Sequence, residues 1–145
     1  ARISFLVGRR DVVAAFKKLR GQIDFGMFLP VQKAAIAALT GPLDMVKTQC
    51  GLYQQRRDAL CGGLRSIGWN VPDSHGSMVV WAPIPAKYAE SMDFCLDLVE
   101  KSGVLCTPGS SFGPLGEGYV RFALTLPPER IAEAVQSIKA SGILN

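Results

Sequence analysis

The chain has 145 residues, of which 48% are hydrophobic and 19% charged, with a formal net charge of +4. That length suits one domain, or one small domain with part of another, and the apolar fraction can bury a real core. No run approaches the roughly 18 apolar residues of a membrane span, and the basic groups (Arg9-Arg10, Lys17-Lys18, Arg56-Arg57) lack the aromatic interleaving of a nucleic-acid surface.

Arg2-Ile3-Ser4-Phe5-Leu6-Val7-Gly8 reads as a strand that begins abruptly, with no signal-peptide pattern. A natural domain seldom starts in mid-strand, so the chain is expected to be the later part of something longer. Asp11 then caps a helix carrying Val12, Val13, Phe16 and Leu19 at helical spacing and ending near Gly21. Residues 22–29 are irregular and apolar. Pro30 opens a second helix at its first position, with an alanine-rich body to Leu39.

After Gly41-Pro42 comes the longest periodic run. Val46, Cys50, Tyr53, Arg57, Leu60, Leu64 and Ile67 predict one helix over 43–67, roughly 37 Å long at 1.5 Å per residue, which Gly51 and Gly62-Gly63 are placed to kink. A helix of that length is expected to bridge two domains.

Beyond Gly68 strands and helices alternate. Strands are expected at 77–82 and 104–106. A helix capped by Ser91 should bury Met92, Cys95, Leu96 and Val99 and end at Gly103. Gly116 to Leu126 holds the clearest strand, with Val120, Phe122, Leu124 and Leu126 on one face and Tyr119, Arg121, Ala123 and Thr125 on the other. A last helix starts at Pro127-Pro128-Glu129, buries Ile131, Ala134, Val135 and Ile138, and closes at Gly142. The fold class is therefore α/β: a short sheet packed with helices over 69–145, a bridging helix over 43–68, and residues 1–42 belonging to another domain.

Few residues suggest chemistry. Cys50, Cys61, Cys95 and Cys106 form no C-x-x-C pair and His75 is remote from them, which argues against any metal site. All four read as reduced, mostly buried thiols of a cytoplasmic protein. Gly113, Gly116 and Gly118 lead into a strand instead of opening a helix, so a dinucleotide or P-loop reading is rejected. His75 sits in a turn without triad companions, and no nucleophile stands out. Two strand arginines remain, Arg2 and Arg121. From its neighbours alone, Arg121 fits a structural arginine that snorkels to water or pairs with an aspartate. It also has the small flanking residues Ala123 and Thr125 that leave room for a planar anion.

Arg2-Ile3-Ser4-Phe5, the loop Pro108-Gly109-Ser110-Ser111-Phe112, and Gly118-Tyr119-Val120-Arg121-Phe122-Ala123-Leu124 occur in an order and at separations that carry a resemblance. They resemble, respectively, the Arg-Ile-Gly-Phe segment after the catalytic lysine, the Pro-Gly-x-x-Phe loop and the Tyr-x-Arg-x-Ala-Leu strand of fold-type-I, pyridoxal-phosphate-dependent aminotransferases of class I/II. Gly76-Ser77-Met78 is similar to the family's Gly-x-Met/Phe before a small-domain strand. The resemblance spans essentially the whole chain, and the nearest branch is the diaminopimelate and alanine/aspartate type.

The resemblance implies a cofactor-phosphate role for Arg2, a substrate α-carboxylate clamp at Arg121, and a loop over the substrate pocket containing Gly109 and Phe112. It implies pyridoxal 5'-phosphate as cofactor, amino acids and 2-oxo acids as substrates, a homodimer when full-length, and no nucleic-acid or membrane partner. Residues 1–42 would be a remnant of the large cofactor-binding domain and 69–145 the C-terminal small domain. The catalytic Schiff-base lysine is expected upstream of Ala1, so this chain alone is expected to be inactive. Ser4 departs from the family's glycine. Two other readings follow from the residues: a free-standing α/β module binding a small carboxylate through Arg121, and a basic nucleic-acid scaffold.

Overall fold

Residues 2–145 are described in the computed structural model. They divide into two compact units, Ala1–Met45 and Val46–Asn145.

In the first unit, residues 2–8 adopt no regular secondary structure, contrary to the expected strand. A strand needs a neighbour for its backbone N–H and C=O groups, and no described segment pairs with this one. Helix α1 spans Arg10–Ile23, with Asp11 inside the first turn and not at the cap. Asp11 instead accepts from the Arg9 guanidinium. The helix runs past Gly21 because the Asp24 backbone N–H still reaches the Arg20 carbonyl and the two side chains form an ion pair. Helix α2 spans Leu29–Thr40, so Pro30 is its second residue. Neither helix has a buried residue.

The long helix α3, Asp44–Ser66, runs unbroken through Gly51, Gly62 and Gly63. Leu60, Cys61 and Leu64 are buried and Tyr53 is partly so, whereas Val46 and Cys50 at the start of the stripe are exposed. Gly63 has a steric role: a Cβ there would lie 2.9 Å from Val135, so its absence lets two helices approach closely.

The second unit is built on a three-stranded antiparallel sheet in the order β1-β3-β2. Strand β1 is Val79–Pro83, β2 is Thr107–Pro108 and β3 is Tyr119–Ala123. Pairing of β2 thus begins just after the expected 104–106, where Leu105 is exposed and only Cys106 is buried. Val80 and Ala82 of β1 face Val120 and Phe122 of β3 on the core side. Leu124 continues that side, while Leu126 has left the sheet and is exposed.

Helix α4, Ser91–Ser102, buries Ser91, Phe94, Cys95 and Leu98. This is one residue out of step with the expected stripe, and Met92, Leu96 and Val99 face outward. Phe94 decides the matter, since its ring meets Trp69 edge-on at 5.3 Å and Tyr88 at 5.1 Å. Large aromatic burial of this kind outweighs that of smaller side chains. Ser91 is the first helical residue instead of the cap, and Gly103 ends the helix at φ +70°. Helix α5, Pro128–Ser141, buries Ile131, Val135 and Ile138 and ends at Gly142, as the spacing predicts, while Ala134 of the expected stripe is only half-buried. The core joins α3, α4, α5 and one sheet face, with Trp69 touching Phe94 and Phe122 at its centre. The other sheet face carries Arg121.

Candidate functional site

Strand β3 is central in the sheet, so Arg121 has a neighbour on each side: Trp81 of β1 and Thr107 of β2 are its register partners. Cross-strand partners share a face, and this is the face turned away from the core. Tyr119 and Ala123 flank Arg121 along its own strand. The Arg121 guanidinium carbon lies 4.4 Å from the centroid of the Phe112 ring, within cation–π range. Phe112 meets Trp81 edge-on at 5.6 Å, and Trp81 stacks on Tyr119 at 5.9 Å. Phe112 thus lies against the guanidinium and links it to the Trp81–Tyr119 stack.

Arg121 is half-buried, and its Nε is buried with no hydrogen-bond partner among the described residues. The ion pairs formed among the described residues use other cations. A buried N–H left without an acceptor costs free energy on the order of 1–3 kcal/mol. A planar anion meeting Nε and a terminal nitrogen together would remove that cost, and this fork geometry is what separates arginine from lysine. Among the described residues Arg121 forms no ion pair with an aspartate.

Phe112 is held over Arg121 by a loop of two 3₁₀ turns, Gly109–Phe112 and Pro114–Gly116. The turns cross at Gly109 and Gly116. A Cβ on Gly109 would lie 1.9 Å from the Gly116 carbonyl oxygen, and one on Gly116 would lie 2.1 Å from the Gly109 carbonyl oxygen. No side chain fits at either position. Gly113 at φ +109° links the two turns, so the glycine spacing has a steric basis in the loop itself.

The loop is tied to the start of α4. The Ser91 hydroxyl is 3.2 Å from the Ser110 hydroxyl and accepts from the Ser110 backbone N–H at 3.3 Å. The Glu117 carboxylate accepts from the backbone N–H groups of Gly118 at 2.8 Å and Ser91 at 2.6 Å. Those bonds, first to Gly118 and then to Ser91, hold the carboxyl below its usual range. A carboxylate at a helix N-terminus is also favoured by the helix dipole.

Of the residues singled out from the sequence, Arg121, Phe112 and Gly109 come together here; Arg2 is exposed in the first unit. Trp81, Ser91 and Glu117 were not singled out as site residues. The signal for Trp81 was its alternation with the core residues Val80 and Ala82, but only the strand register places it beside Arg121. His75 is exposed in its turn, and all four cysteines are free.

The sequence model of class I and II aminotransferases matches residues 1–138. This chain belongs to that family. Among curated aminotransferases, the LL-diaminopimelate aminotransferase of Halothermothrix orenii is 44% identical over 142 residues, covering 98% of this chain and 36% of that protein. The glutamate-pyruvate aminotransferase AlaC of Escherichia coli is 42% identical, covering 96% of this chain and 34% of its own length. Among solved structures, an aminotransferase from Staphylococcus aureus superposes with a TM-score of 0.85 at 31% identity, covering 96% of this chain and 37% of that one. A probable N-succinyldiaminopimelate aminotransferase from Thermus thermophilus gives 0.80 at 30% identity, covering 93% and 36%. The chain thus spans about a third of the length of the aminotransferases it matches. No helix among its described residues is long and apolar enough to cross a membrane.

Proposed function

We propose that the chain is the C-terminal portion of an enzyme that moves an amino group between an amino acid and a 2-oxo acid with pyridoxal phosphate, and that Arg121 holds the substrate α-carboxylate. The observation that carries this reading is the buried, unpartnered Nε of Arg121 beneath Phe112 on an open sheet face. The Phe112 ring lies against the guanidinium, and a carboxylate pairs more strongly with a partly desolvated cation. Gly109 lets the loop fold tightly enough to bring Phe112 there.

Arg2 is an exposed cation of the first unit and suits the cofactor phosphate. Bound pyridoxal phosphate supplies a sink for the electrons left on the α-carbon when a bond there breaks. The residues of this chain bind and orient: a clamped carboxylate fixes which α-bond faces the cofactor ring.

In this reading residues 1–42 belong to the large cofactor-binding domain, 43–68 form the interdomain helix and 69–145 the small domain. The absence of buried residues from α1 and α2 supports it. The relatives' names make LL-diaminopimelate, glutamate and pyruvate the first substrates to try. A homodimer in the cytoplasm completes the proposal, and the four free thiols are compatible with that compartment.

The test uses the protein expressed from its own reading frame and loaded with pyridoxal phosphate. Replacing Arg121→Leu should lower kcat/KM for the amino acid about hundredfold, the equivalent of roughly 3 kcal/mol for a lost bidentate pair. Arg121→Lys should recover only part of it. Unchanged kcat/KM in both variants would overturn the carboxylate role. Absence of amino transfer, with small carboxylates still binding in an Arg121-dependent manner, would favour a carboxylate-binding module instead.

A further inference from the structure

Two side-chain contacts join helix α4 to the site loop and to the segment that enters it. One is the Ser91–Ser110 contact. The other lies one turn further on, where the sulfurs of Cys95 and Cys106 approach to 3.2 Å. Ser91 and Cys95 are four residues apart and so share a helix face. Cys106 immediately precedes β2, whose Thr107 pairs with Arg121. Both thiols are buried. Elsewhere the sulfur of Cys61 is turned to the Pro72 carbonyl, and Cys50 is exposed.

We infer that Cys95 and Cys106 form an oxidation site: a dithiol that closes to a disulfide when the protein meets a peroxide, covalently joining α4 to the strand that enters the loop over Arg121. The sulfurs are 3.2 Å apart, so a movement of about one ångström reaches the S–S bond length of about 2.05 Å. The chemistry balances with hydrogen peroxide as oxidant. One sulfur, as thiolate, attacks a peroxide oxygen; the O–O bond breaks, hydroxide leaves and takes up a proton to become water, and the attacked oxygen stays on sulfur as a sulfenic acid. The second sulfur attacks the first, forming the S–S bond and expelling that oxygen as a second water. The dithiol loses two electrons and two protons, and the peroxide gains them.

Burial raises the pKa of both thiols, Cys106 more strongly. The reactive thiolate is therefore scarce while both sulfurs are buried, and the first step depends on local fluctuations that admit the peroxide. The site is consequently slow and dose-dependent, in contrast to the exposed Cys50.

The experiment uses the protein expressed from its own reading frame with Cys50→Ser, which removes the exposed thiol, and compares it with Cys50→Ser/Cys95→Ser. After graded hydrogen peroxide and acid quenching, non-reducing peptide mapping should show one linked pair, Cys95 with Cys106, lighter by two hydrogens and absent from the second variant. Hydrogen exchange at 107–112 should slow severalfold in the oxidised form and recover with dithiothreitol. Cys61 pairing with Cys95 and Cys106 as often as they pair with each other, or both thiols staying reduced until the protein unfolds, would overturn the site. A linked pair with unchanged exchange at 107–112 would overturn its coupling to the loop.

Discussion

Helices α1 and α5 are the same length, 14 residues, and both carry apolar side chains at helical spacing. Helix α5 buries Ile131, Val135 and Ile138, while α1 leaves Val12, Phe16 and Leu19 exposed. The contrast extends to the two units that contain them: every buried residue among those described lies beyond Met45. An amphipathic pattern marks which side of a helix is available for burial. It carries no information on whether anything covers that side, and helical stability in proteins comes mostly from the covering.

The largest effect should come from separating the units. A peptide of residues 46–145 should unfold cooperatively on heating, followed by circular dichroism, and a peptide of 1–45 should show no cooperative transition. A sharp melt of 1–45 would break the comparison. Single substitutions sharpen it. In the 145-residue chain, Phe94→Ala in the core should cost about 3–5 kcal/mol in urea unfolding, whereas Phe25→Ala, fully exposed there, should stay within about 0.5 kcal/mol.

Glycines should differ in sign between the units. Gly109→Ala, with a carbonyl 1.9 Å from the new Cβ, should cost about 1–3 kcal/mol or more. Gly21→Ala, inside α1 with nothing within 4 Å, should stabilise by about 0.5–1 kcal/mol. Gly109→Ala is read from the denaturant midpoint, and Gly21→Ala from the helicity of the 1–45 peptide by circular dichroism.

The smallest effect is in pH dependence. Bonds to Gly118 and Ser91 depress the Glu117 carboxyl in the folded state, so the unfolded chain binds the proton more readily. Its contribution is present above the unfolded carboxyl value of about 4.3 and is lost as pH falls through the folded value. Glu117→Gln should flatten that acid limb in a pH series of denaturation midpoints. Asp11 is also depressed, by Arg9, but both partners are exposed, and Asp11→Asn should leave the midpoint unchanged.

Much of this was legible along the chain. The stripe of α3, the ends of α4 and α5 at Gly103 and Gly142, and the core alternation of Val120, Phe122 and Leu124 follow from backbone periods and from glycine's access to positive φ. The motifs at Arg2, Pro108–Phe112 and Tyr119–Leu124 carried the family. The rest was not local. Residues 2–8 have strand-like side chains but no described strand beside them. On α4 two stripes of equal periodicity compete, and Phe94 wins because Trp69 and Tyr88 are there to meet it.

Arg121 shows the division most clearly. Its place on a strand, opposite a core face, was determined by the alternation of its immediate neighbours. That it lies between Trp81 and Thr107, under Phe112, with a buried Nε and no acid beside it, was decided only by strand register and by the crossing of Gly109 with Gly116. Periodicity is a property of adjacent residues, whereas desolvation and an unmet hydrogen bond depend on residues brought close from far along the chain.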